Sequence, residues 1–72
     1  MKKIFYWVKK FKKNGELVCS EEQHHLIQVI DSTDNDEIIQ KYIIPHISLQ
    51  NSKSEEFKFE FLKIQEIEDL SK

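Results

Sequence analysis

Near the C-terminus, Phe57-Lys58-Phe59-Glu60-Phe61 alternates strictly between aromatic and charged residues, the period of two that sends successive side chains to opposite faces of a β-strand. Leu62, Ile64 and Ile67 continue the segment with a shifted phase, as a β-bulge would produce. Residues 69–72 should fray. At the other end, aromatic and β-branched residues from Ile4 to Phe11 precede Asn14-Gly15, the dipeptide that supplies two positive-φ residues to a type I′ hairpin turn. With Lys13 and Glu16 flanking a two-residue loop, Phe11 faces Val18, Lys9 faces Ser20 and Trp7 faces Glu22; on the other side Lys12 meets Leu17, Lys10 meets Cys19 and Val8 meets Glu21. Ile4, Trp7, Val8 and Phe11 also fall at helical spacing with lysines opposite, so residues 3–13 have a competing reading as a basic amphipathic helix. The hairpin is preferred because aromatic and β-branched residues favour strands and the turn signal sits at its end.

Between these ends, His24 to Asp31 reads as a strand that continues the hairpin, with Ser20-Glu21-Glu22-Gln23 as an alternative capping box opening a short helix. Thr33 is the expected cap of a helix over 34–44, with Asp34, Asp36 and Glu37 at the positive end of its dipole and Ile38, Ile39, Tyr42 and Ile43 as its apolar stripe. Pro45 should end it. His46 to Leu49 reads as a short edge strand and Asn51 to Glu56 as a polar loop. These pieces predict an α+β fold in which a small antiparallel sheet of three or four strands, in the order ββ(β)αβ, carries one α-helix on one face. Residues 1–72 form a single small domain, with Phe57, Phe59, Phe61, Ile38, Ile39, Tyr42 and Ile43 as its core. One helix covers only part of such a sheet, leaving a face or an edge open to a partner.

Size sharpens that expectation, because 72 residues sit where a single core yields only about 3 to 5 kcal/mol of net stability without disulfides, metals or a second subunit. A homodimer or a tight partner is therefore in keeping with length alone. The single cysteine, Cys19, has no internal disulfide partner, which fits a reducing, cytoplasmic compartment. The apolar run Ile4 to Val8 is too short for a signal-peptide core or a bilayer span, so no membrane association is expected. Arginine and alanine are absent while lysine, isoleucine and glutamate abound, a bias expected of an AT-rich genome such as that of a low-GC bacterium or its phages.

Charge is divided along the chain. Lys2, Lys3, Lys9, Lys10, Lys12 and Lys13 give plus six before Asn14, and the remaining five lysines against thirteen acids give minus eight, for a net charge of −2. The basic half is interleaved with Phe5, Tyr6, Trp7 and Phe11, a composition suited to phosphate contact and base stacking. The acidic half suits a basic protein surface or imitation of nucleic-acid phosphates.

Nothing in the sequence points to catalysis, a cofactor or a metal. His24, His25, Cys19 and His46 are the only soft donors, their spacing matches no zinc framework, and adjacent histidines in a strand point to opposite faces. Cys19 and His25 lie six positions apart, roughly 20 Å along an extended strand, so they cannot form a nucleophile and base pair; a buried structural thiol is the expected role. A single glycine, Gly15, cannot build a phosphate-binding loop. The acids Asp34 to Glu37 read as helix capping and Glu66, Glu68 and Asp69 as a solvated strand end. The expected function is that of a small non-enzymatic binding protein, an accessory or inhibitor protein of a phage or mobile element. It would contact another protein through an open sheet edge or an acidic surface of Glu55, Glu56, Glu60, Glu66, Glu68 and Asp69. The alternative is a nucleic-acid-binding module using Lys2, Lys3, Trp7, Lys9, Lys10, Lys12 and Lys13.

Overall fold

A computed structural model describes residues 1–70. It has three strands, β1 (Lys2–Lys12), β2 (Leu17–Gln28) and β3 (Phe57–Asp69). They form one antiparallel sheet in the order β2-β1-β3. The chain is α+β, with a single helix of 19 residues, here α1, between β2 and β3. Because β2 and β3 both run antiparallel to β1, they are parallel to each other, and α1 is the crossover that carries the chain over β1. Among the described residues, no helix is long and apolar enough to cross a membrane.

The β1–β2 hairpin forms, which settles residues 3–12 as strand and not amphipathic helix. Its turn differs from the two-residue type I′ expectation. Gly15 alone has positive φ, at 96°, Gly15 N–H donates to Lys12 O at 2.8 Å and Lys12 N–H donates to Glu16 O at 2.8 Å. This is the three-residue loop that ends on a left-handed glycine. Lys12, not Lys13, therefore faces Glu16, and their side chains lie 3.7 Å apart. Lys10 pairs with Cys19 as expected, but bulges on either side shift the rest by one, so that Phe11 faces Leu17, Val8 faces Glu22 and Trp7 faces Gln23. Residues 20–23 continue β2 and cap no helix.

Helix α1 begins one residue later than expected, with Asp34 and not Thr33 as cap. The Asp34 carboxylate accepts from Asp36 N–H at 3.0 Å, and Asp36 and Glu37 occupy the positive first turn. Pro45 does not end the helix. An α-turn over Asn35–Ile38 widens into π-helix over Ile39–Ile43 and returns to α-helix over Ile44–Lys53. Ile44 N–H reaches back to Ile39 O, and Pro45 then falls in the first turn of the last segment, where its missing N–H costs nothing and its ring meets no regular i−4 carbonyl. His46 to Leu49 is thus helix and not an edge strand, the polar loop shrinks to residues 54–56, and no fourth strand forms.

Ile4, Tyr6 and Val8 of the central strand are fully buried beside Leu26, Ile30, Ile38, Ile43 and Ile47. Two irregularities in the β1–β3 register pass over Leu62 and Gln65, so Phe59, Phe61, Ile64 and Ile67 all turn toward α1 despite their uneven spacing. The bulge expected in β3 is present. Phe59, Phe61, Ile39 and Tyr42 are partly buried against the core, whereas Phe57 lies at its margin under the Lys10 ammonium, 4.2 Å from the ring centroid. Asn51 fastens the end of α1 to the sheet, accepting from Phe59 N–H at 2.7 Å and donating to Phe59 O at 3.1 Å. At the strand end expected to fray, Asp69 closes β3 and Leu70 N–H donates to Met1 O at 3.0 Å; residues 71–72 lie outside the described residues.

Candidate functional site

The sheet has one face covered by α1 and one face open. Alternation along β1 sends Ile4, Tyr6 and Val8 to the covered face and Lys3, Phe5, Trp7 and Lys9 to the open one. Phe5, Trp7 and Phe11 are half-buried there, against Leu17, Gln23, His25 and Ile27 of β2 and Lys58, Lys63 and Glu66 of β3. The Gln23 amide donates to the Gln65 amide oxygen, bridging the outer strands over β1 beside Trp7. Ile27 and Leu17 are about half exposed, extending an apolar strip from the aromatics to the β2 side.

The basic and acidic sequence clusters are not separate surfaces. Antiparallel pairing sets Lys2 against Asp69, Lys3 against Glu68 and Lys9 against Glu60. Glu66 faces Phe5, Glu56 O accepts from Lys13 N–H at 3.1 Å, and Glu55 lies in the exposed bend before β3. Lys10 belongs to the helix side of the sheet, 3.7 Å from Glu22, and Lys12 pairs with Glu16. The open face holds Lys3, Lys9, Lys58 and Lys63 against Glu60, Glu66 and Glu68 of β3 and Glu21 of β2, whose carboxylate lies 3.6 Å from the Lys63 ammonium, so its lysines and glutamates balance, with charges of both signs around an aromatic centre. Trp7 joins Lys3 and Lys9 on it.

The covered face contains a second polar constellation that the sequence pattern did not single out. Tyr6 Oη lies 2.8 Å from His46 Nδ1, and the Tyr6 ring packs edge-on against both His24 and His46, at 5.9 and 6.2 Å between centroids. Tyr6 has no accessible surface, and burial pushes its hydroxyl up to about 12. The phenol therefore keeps its proton at neutral pH, and because His46 Nδ1 is the one hydrogen-bond partner of Tyr6 Oη among the described residues, a buried O–H that did not donate to it would be left unsatisfied. It has one O–H proton, and donating it to Nδ1 leaves the His46 proton on Nε2. Burial, followed by the nearby His24 and His25 imidazoles, holds His46 below the ordinary histidine range. His24 lies 3.0 Å from Gln50 Oε1 through Nδ1 and bonds Glu22 Oε2 through Nε2. His25, on the open face, tilts against Phe5 at 6.1 Å, so the adjacent histidines do part to opposite faces. The signal that could have found this cluster was the placement of Tyr6 in phase with Ile4 and Val8.

Among the described residues, no three His, Cys, Asp or Glu side chains gather as metal ligands. Cys19 is half-buried and not the buried thiol expected; its Sγ–H donates to Glu21 O at 3.2 Å. Comparison of the chain with protein-family models, curated proteins and solved structures finds no match.

Proposed function

We propose that this chain is a small non-enzymatic binding protein that acts by occupying a surface of another protein, with the open sheet face and the acids of β3 as its contact. The observation that carries this reading is the row Phe5, Trp7 and Phe11 on the face that α1 leaves uncovered. Large aromatics flanked by a polar rim are the composition of interface centres. Three strands of about eleven residues present roughly 35 by 14 Å, or about 500 Å². That is below the roughly 800 Å² per partner of a standard interface. A partner that also pairs with the exposed edge of β2, or a second copy of this chain, would make up the difference. Size, amino-acid bias and the want of a catalytic constellation fit an accessory or inhibitor protein of a phage or mobile element.

The test is size-exclusion chromatography with light scattering, alone and with lysate of a low-GC bacterial host, using the native chain, Trp7→Ala and a triple Glu60→Gln, Glu66→Gln, Glu68→Gln variant. A protein partner whose retention falls with Trp7→Ala and whose salt dependence flattens in the triple variant supports the reading. If neither variant changes retention or its salt dependence, the open face is not the contact.

Aromatics on the central strand of an open sheet are also how single-stranded nucleic acid is stacked, which keeps that second reading alive. It predicts that Trp7→Ala weakens single-strand binding by about 1 to 3 kcal/mol. It carries less weight because four lysines against four glutamates give the face little net attraction for phosphate.

A further inference from the structure

A cleft of about 320 Å³ opens between β2 and α1, away from the open sheet face, lined by Leu26, Ile27, Gln28, Lys41, Tyr42, Pro45 and His46. Its size is at the lower end of small-molecule sites, and apolar walls with a few polar groups are their usual lining. Leu26, Pro45 and the Tyr42 ring supply the apolar walls, whereas the Ile27 side chain belongs to the open face. Among the polar groups, Lys41 and His46 offer donors to the cleft, while the Gln28 amide and the Tyr42 hydroxyl can each donate or accept. His46 Nδ1 is taken by Tyr6, which fixes the proton on Nε2 and makes that nitrogen a donor. Lys41 has its ammonium 5.7 Å from the Tyr42 ring centroid and no carboxylate in ion-pair range among the described residues. No lining residue is acidic.

We propose that this cleft binds a small carboxylic acid with an apolar body, the carboxylate taken by Lys41 Nζ and His46 Nε2–H and the body seated on Leu26, Tyr42 and Pro45. A carboxylate accepts from both donors at once and neutralises the lysine, whereas a neutral polar ligand gains only ordinary hydrogen bonds. Tyr6 acts here as a positioning residue, because its bond to Nδ1 selects the tautomer that faces the ligand.

The probe is 3-phenylpropionate, titrated into the full ¹⁵N-labelled chain at neutral pH and followed by amide shifts, with 3-phenylpropan-1-ol as its uncharged match. Saturable shifts centred on Leu26, Ile27, Tyr42 and His46, much weaker binding of the alcohol, and a loss of about tenfold or more in affinity on Lys41→Gln support the proposal. Lys41 is exposed, so the variant keeps the fold and its spectrum verifies this. No saturable shifts, shifts centred elsewhere, equal binding of acid and alcohol, or unchanged affinity in Lys41→Gln overturn it. The carboxylate could belong to a free acid or to a peptide C-terminus. An acetylated tripeptide ending in phenylalanine, as acid and as amide, separates the sources: tighter binding of the peptide acid than of 3-phenylpropionate, with shifts spreading along β2, assigns a chain terminus, and equal or weaker binding assigns a free acid.

Discussion

Tyr6→Phe removes one oxygen from the middle of the core and leaves the ring in place, so its cost measures the Tyr6–His46 bond almost alone. Phenylalanine retains the edge-on contacts to His24 and His46 and the burial beside Ile4 and Val8. What is lost is a 2.8 Å hydrogen bond, worth about 0.5 to 1.5 kcal/mol net, together with the cost of leaving His46 Nδ1 without its donor, up to about 1 to 3 kcal/mol where solvent cannot replace it. His46 is only half-buried, so the expected total is about 1 to 2 kcal/mol. In a domain of this size that lowers Tm by roughly 5 to 15 °C. Urea unfolding followed by Trp7 fluorescence should show a lower midpoint with an unchanged m-value. A variant as stable as the native chain would show that Tyr6 Oη–H contributes nothing through His46, and the tautomer assigned to the cleft would lose its basis.

Because the folded-state pKa of His46 lies below its ordinary value, the unfolded chain binds more protons in that window. Its contribution to stability is complete above about pH 6.5 and is lost as pH falls below that value and through the lower folded-state pKa. His24 and Glu22 face this constellation and His25 acts on it from the other side of the sheet, so the assay is an NMR titration of the His46 ring itself, expected to give a midpoint below 6.5; a midpoint at or above it refutes the assignment. Gly15→Ala meets no atom within 4 Å of the new Cβ, so its cost is the left-handed φ alone, about 1 kcal/mol by urea titration; no loss at all would mean that the turn changes type. Ile43→Ala removes a fully buried side chain at an expected 2 to 5 kcal/mol, comparable to the whole stability of such a domain. The variant should show a disordered amide spectrum at 37 °C, and a well-dispersed one would place the core elsewhere.

Features governed by neighbours in sequence were legible before the fold was known. The Asn14-Gly15 turn, the alternation of Phe57 to Phe61 and the acidic start of α1 all express local backbone preferences, and each appears within a residue or two of its expected place. The errors share a cause in contacts made over long range. Pro45 reads as a stop because its clash with a preceding carbonyl is local, yet Ile47 buries to 5% exposure beyond it, and a π-turn widens the backbone to let the helix continue. The hydrophobic pattern points to a core in β3 and α1, whereas its largest fully buried member is Tyr6 of β1, since a strand becomes central only through pairing on both edges. The charged clusters were visible, but their mutual neutralisation was not, because Lys3 meets Glu68 only once α1 has folded back over the sheet.

The π-turn also carries a record of length. The buried residues of α1, Ile38, Ile43 and Ile47, stand five and then four positions apart, while one face of a regular α-helix repeats every 3.6. Removing one residue between Ile38 and Ile43 would make both spacings four. In evolutionary terms the helix behaves as one that has absorbed an additional codon without disturbing what lies on either side. A relative one residue shorter there, with any residue but proline at the place of Pro45, would present the same three isoleucines to the sheet from an unbroken α-helix.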